Sequence, residues 1–171
     1  VFDIVTFSIA AVNDPPVIDL PSAFSFYEDE YLYLDLNQYV NDIDGDSLSF
    51  YVESDTIICE LSGSELSLSA PQNWSGIEEI TIIISDEITR LQAEAVTQIN
   101  VIPVNDAPWL NVPDFLEIDS GNSYQINIAE YCGDIDSEIL ALQAFSTDLI
   151  LQLEDLMLTI TAPENFAGIT Q

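Results

Sequence analysis

Apolar residues recur at every second position through most of the chain, which is the period of a strand with one face buried. Leu32, Leu34 and Leu36 alternate with Tyr31, Tyr33 and Asp35. Leu48/Phe50/Val52, Leu66/Leu68, Ile80/Ile82/Ile84 and Ile99/Val101 follow the same rule. Clusters of Pro, Asn, Asp, Ser and Gly separate these runs, and such residues favour turns. The pattern predicts seven strands, at 17–26, 31–36, 47–53, 57–61, 65–69, 79–85 and 95–102. It predicts no long amphipathic helix.

The same pattern occurs more than once. "VNDPP" at Val12 to Pro16 returns as "VNDAP" at Val104 to Pro108, an offset of 104 − 12 = 92. In that register "NQYVNDIDGDSL" falls on "AEYCGDIDSEIL" and "LSLSAPQNWSGI" on "LTITAPENFAGI", without a gap. Residues 1–14 match the end of a repeat, a last strand and linker; 15–106 form a complete copy; 107–171 are expected to be a truncated copy with the first five strands only. Seven short strands in about 90 residues indicate an all-β fold, a tandem array of two-sheet sandwiches of immunoglobulin-like type. The start at Val1, inside a strand-like pattern, suggests an internal piece of a longer protein.

Composition narrows the chemistry. Of 171 residues 48% are hydrophobic, enough for packed cores, so the acidity is displayed on a folded body. Arg90 is the sole Lys or Arg against 31 Asp and Glu, a formal net charge of −30. Nucleic acid and anionic membrane surfaces would be repelled. His is absent, which removes the Ser/His/Asp and Cys/His nucleophile systems and most zinc, copper or haem sites. Oxygen ligands remain, and they suit calcium. No run is long enough to insert into a membrane as a helix. Cys59 aligns with Leu151 and Cys132 with Val40, so each takes the place of an aliphatic residue; they read as core hydrophobes rather than disulfide partners.

Strands of a sandwich alternate in direction, so sequence order places the acids. Asp42, Asp44 and Asp46 of the second loop, Asp86 and Glu87 of the sixth loop, and the linker Asn13-Asp14 fall at one end of the complete copy. Glu28 and Asp29 fall at the other, with the outgoing linker Asn105-Asp106, which leads to Asp134 and Asp136 of the next copy. Two like charges about 4 Å apart repel by roughly 4 kcal/mol at an effective dielectric near 20. A calcium ion, taking about 6–8 oxygens, reverses the sign of such a cluster.

The "VNDPP"/"VNDAP" linkers, the "EDE" after the first strand, the "DIDGD" loop and the "SDE" before the last strand together resemble the cadherin-like tandem repeats of bacterial surface proteins and adhesins. The resemblance implies Ca2+ bound between linker and D-x-D loop, stiffening a rod. It carries to Asn13, Asp14, Asp42, Asp44 and Asp86 at the first junction, with Asp46 in the same loop, and to Glu28, Asn105, Asp106, Asp134 and Asp136 at the second. The implied function is a non-enzymatic structural or adhesion module of a large extracellular or cell-surface protein, its partners being neighbouring repeats and another surface protein or a glycan. The third copy departs from the pattern, with Ser120-Gly121 in place of Glu28-Asp29 and Ser137-Glu138 in place of Gly45-Asp46.

Other readings stay beside this one. Asp and Gly in a loop are often only turn formers. Asp42, Asp44, Asp46 and Glu53 have the spacing of an EF-hand, but Ser47 stands where that loop needs Gly, the flanks alternate as strands, and the copy has Phe145 in place of Glu53. Asn73 lies in a glycosylation-type sequon that the copy lacks, and Trp74 and Phe166 read as plugs over a sandwich end. A paired-carboxylate glycosidase would need one cleft, whereas these acids recur every 92 residues. A domain that itself grips a glycan or protein would expose aromatics on a sheet face, and Tyr31 and Tyr33 are the candidates.

Overall fold

The computed structural model describes residues 3–137 and 140–170. Its chain divides into two compact units, Val1–Val104 and Asn105–Gln171.

Among the described residues the first unit holds nine strands: β1 (Val17–Ile18), β2 (Ala23–Tyr27), β3 (Tyr31–Asp35), β4 (Val40–Asn41), β5 (Leu48–Glu53), β6 (Ile58–Ser62), β7 (Glu65–Ser69), β8 (Gly76–Asp86) and β9 (Gln92–Ile102). One sheet has the order β2-β9-β8-β5 and the other β3-β7-β6, while β1 and β4 form a short separate ladder. β2 runs parallel to β9; the other pairs are antiparallel. The inward residues are those the alternation predicts. Leu66, Leu68, Ile80, Ile82, Ile99 and Val101 are buried with Phe26 and Leu34 in one cluster drawn from both sheets. Each such side chain contributes roughly 1.5–3 kcal/mol. This is a β-sandwich with an immunoglobulin-like division of strands.

Two local features refine the strand pattern. The single strand expected at 17–26 is two, because the chain changes sheets at Asp19–Ser22. Pro21 cannot donate to a ladder, and its carbonyl instead accepts from the buried Thr97 hydroxyl at 2.8 Å. The strand expected to reach Leu36 ends at Asp35, whose carboxylate accepts from Asn37 N–H at 3.0 Å and caps a 3-10 turn, Leu36–Gln38. Leu36 is fully buried from within that turn. Residues 3–11, expected to be a last strand, pair with no strand among the described residues, and Ile4, Phe7 and Ile9 are exposed.

The second unit holds β10 (Trp109–Leu110), β11 (Ser123–Asn127), β12 (Cys132–Gly133), β13 (Ile150–Glu154) and β14 (Met157–Thr161). β10 pairs with β12, and the larger sheet has the order β11-β14-β13. Each of these strands starts 92 residues after one in the first unit, as with β10 and β1, 109 − 17 = 92. The 3-10 turn returns at Ile128–Glu130, capped by Asn127.

Here the third expected strand does not form. Residues 140–145 align with β5, and 115–119 with β2, yet both lie outside any ladder among the described residues. The reason is topological, since β5 pairs only with β8 and β2 only with β9. Nothing described in the second unit aligns with β9, and only the stretch after 167 aligns with β8. Ile126, Ile128, Cys132 and Ile160 form its small buried cluster, against which Leu140, Leu142, Leu149, Leu151 and Leu158 are partly buried. Cys59 packs against the first core and Cys132 within the second, both as free thiols.

Candidate functional site: acidic loops and the linkers that dock on them

The loop between β4 and β5 is organised by its first carboxylate. Asp42 Oδ1 accepts from the Asp44 and Asp46 backbone N–H groups at 2.9 and 3.3 Å, which folds the loop back on itself. Gly45 supplies the left-handed conformation, φ +77°, that this path requires. Asp44 is thereby aimed at the linker, and its Oδ2 accepts the Asp14 N–H at 2.7 Å.

Asn13 ties the same linker to the β8–β9 turn. Its Nδ2 donates to Thr89 Oγ1 at 3.0 Å, the Asp14 carbonyl at 3.1 Å and Asp86 Oδ2 at 3.3 Å. Asp86, fully buried, closes that turn by accepting from the N–H groups of Ile88, Thr89, Arg90 and Leu91 and from the Thr89 hydroxyl. Burial would raise the Asp86 carboxyl, but these hydrogen bonds outweigh it and hold the group below its ordinary value. Asp86 is thus a turn-closing acid as well as a neighbour of the cluster.

Asp46 behaves oppositely. Burial, then the charges of Asp42, Asp86 and Asp44, raise its carboxyl above the ordinary value. Asp42 Oδ2 and Asp46 Oδ2 are both buried without a hydrogen-bond donor. An open cleft of about 510 Å³ runs past this point, lined by Asp42, Gly45, Asp46 and Ser47 on one side and Gly63 and Ser64 on the other. A divalent cation would give the two orphaned oxygens their missing partner and offset the repulsion, so these residues fit an oxygen-liganded ion. Among the described residues no three acidic side chains yet converge as a ready group of donors. Asp42 Oδ1, Asp44 Oδ2 and the Asp86 oxygens are instead turned toward N–H and O–H groups.

The second unit repeats the Asx turn of the loop and the docking of the linker Asp amide on it. Asp134 Oδ1 accepts from Asp136 and Ser137 N–H, each at 2.9 Å. Asp136 Oδ2 accepts from Asp106 N–H at 2.5 Å, and Asn105 Nδ2 donates to the Asp106 carbonyl at 2.7 Å. Glu138, the counterpart of Asp46, lies outside the described residues. Glu28 belongs to the first unit, only 3% exposed, where its Oε1 accepts Val104 N–H at 2.6 Å and steers the chain out of β9.

One carboxylate that organises a loop lies outside the pattern of repeated acids. Glu78, on β8, accepts from the Ser54 hydroxyl and the N–H groups of Asp55, Thr56 and Ile57, at 2.6 to 3.1 Å. Burial opposes its charge, yet these bonds lower its pKa to about 2. Its counterpart is Thr170, which donates to Asp148 Oδ2 at 2.6 Å, so the repeat comparison hid it. The available signal was an acid within an Ile-rich strand and a Ser-Asp-Thr loop needing an acceptor.

No family model matches this chain and no curated protein does. Among solved structures, the endo-fucoidan hydrolase MfFcnA4 from glycoside hydrolase family 107 is 21% identical with a TM-score of 0.46; 91% of this chain covers 25% of that one. The SGBP-B of the Bacteroides ovatus mixed-linkage glucan utilization locus is 16% identical, TM-score 0.41, over 91% of this chain and 42% of that one. The titin domains z1z2, solved with telethonin, are 11% identical, TM-score 0.37, over 91% of this chain and 85% of that one. The chain therefore spans about a quarter of the length of the fucoidan hydrolase. Among the described residues no helix is long and apolar enough to cross a membrane.

Proposed function

We propose that this chain is a non-enzymatic structural module, a tandem repeat of cadherin-like kind in a large extracellular or cell-surface protein, in which Ca2+ bound between linker and acidic loop stiffens each junction. The observation that carries the reading is the repeated docking of the linker Asp amide on the second Asp of a D-x-D loop, at 2.7 and 2.5 Å. A linker so held has a defined direction instead of swivelling. Asp42 and Asp46 would supply the oxygens that now lack donors, with Asp44, Asp14 and Asn13 beside them. Asp86 would act mainly by holding Asn13 and adding negative potential. At the second junction Asp134 and Asp136 would take the corresponding roles, with Asn105 and Asp106 of the linker beside them.

The test is thermal melting of the chain in EDTA and in calcium, at matched ionic strength. Sites of extracellular type bind at roughly 10⁻⁴ to 10⁻³ M. A hundredfold excess over Kd would add about 2.7 kcal/mol to stability. Asp46→Asn gives a result with opposite signs. Because folding raises this carboxyl, its charge opposes folding above its unfolded value of 3.8, so removing the charge raises Tm in EDTA. The same change weakens the calcium shift. Identical melts in EDTA and calcium, or a calcium shift that Asp46→Asn and Asp42→Asn together leave whole, would overturn the proposal.

A further inference from the structure

The outer face of the β3-β7-β6 sheet differs between the two units in a way the repeat does not require. In the first unit Tyr31 and Tyr33 stand on β3, 59% and 70% exposed, with near-parallel rings whose centroids are 6.1 Å apart and whose planes differ by 19°. In the second unit the aligned residues are Ser123 and Gln125, and both are engaged across the strand, Ser123 with the Thr161 hydroxyl at 2.7 Å and Gln125 with Thr159 at 3.1 Å. One face is closed by its own hydrogen bonds. The other holds two large rings in water, where neither gains from burial.

What lies beside the rings indicates the ligand. Directly opposed residues share a face of the sheet. Tyr31 faces Ser69 and Tyr33 faces Ser67, and beyond them on β6 come Ile58 and Glu60. The tyrosines are therefore flanked by hydroxyls and an exposed carboxylate, with a single aliphatic side chain among them. Protein-binding hot spots combine aromatics with Arg in a desolvated apolar centre, which this surface lacks. A neutral sugar matches it better. Its C–H faces carry partial positive charge and pack on the negative faces of aromatic rings, while its hydroxyls donate to serine and carboxylate oxygens. The net charge of −30 opposes sulfated or uronic-acid glycans. We infer that Tyr31 and Tyr33, with Ser67, Ser69 and Glu60, form a binding surface for a neutral glycan chain on the first unit only.

Affinity electrophoresis of the whole chain through gels containing a soluble neutral polysaccharide tests this, using a β-glucan, a galactomannan and a xylan, with alginate and dextran sulfate as anionic comparators. Running every gel in EDTA separates the result from calcium binding. At least one neutral polymer should retard the chain. Tyr33→Ala should weaken retardation about tenfold, and Tyr33→Phe, which keeps the ring, should change it much less. Both side chains are exposed, so circular dichroism should show the variants folded. Retardation by none of the neutral polymers, equal retardation by the anionic ones, or retardation that survives Tyr31→Ala with Tyr33→Ala would each overturn the assignment.

Discussion

Glu78 shows how much a single side chain can hold in a fold of small cores. Four consecutive residues, Ser54 to Ile57, direct donors to its carboxylate, and Ile57 is thereby delivered to the core. Glu78→Gln keeps the shape but loses the charge that makes these bonds strong, at an expected cost of roughly 2 kcal/mol near neutral pH. The folded pKa of about 2 lies below the ordinary 4.5, so the contribution is present above 4.5 and lost as pH falls toward 2. The stability difference between wild type and variant should therefore shrink across that interval. Urea midpoints measured at several pH values provide the check, and a difference constant with pH would remove the charge from the explanation.

At the scale of elements, the same strand sits in two environments. β3 and β11 align residue for residue, and each pairs with its central partner over five positions. Yet β3 is faced by a four-stranded sheet, whereas β11 belongs to a unit in which 140–145 forms no strand. Local opening costs less where less apolar surface is covered. Amides of β11 should exchange with deuterium faster than those of β3, by an order of magnitude or more. Equal protection measured by mass spectrometry would mean that the second unit is self-sufficient with three strands and a short ladder.

The whole molecule must fold against its own field. With 31 acidic residues and one basic one, repulsion among surface carboxylates opposes compaction over distances of about a Debye length, roughly 10 Å at 0.1 M salt. In EDTA, Tm should rise steadily as NaCl increases from about 0.02 to about 0.5 M. A flat or falling response would show that the carboxylates are already balanced locally, as Asp86 and Glu78 are by their N–H donors. The shift from calcium should exceed the shift from sodium at equal ionic strength, since only a bound ion satisfies particular oxygens.

Local chemistry in the sequence was enough for the all-β character, the alternating inward faces of the first unit, the acidic turns and the two cysteines as core residues, because each rests on periodicity, on Asx and Gly turn preferences, or on the residue found at the aligned position. Tertiary structure alone decided the rest. Where a strand changes sheets at Pro21, and whether 140–145 becomes a strand at all, depends on partners distant in sequence, since a ladder is completed by its neighbour and not by its own residues. The loop acids divide for the same reason. Asp86 spends its oxygens on a turn while Asp42 and Asp46 each keep one buried without a donor, a difference made by which N–H groups the folded chain brings within reach.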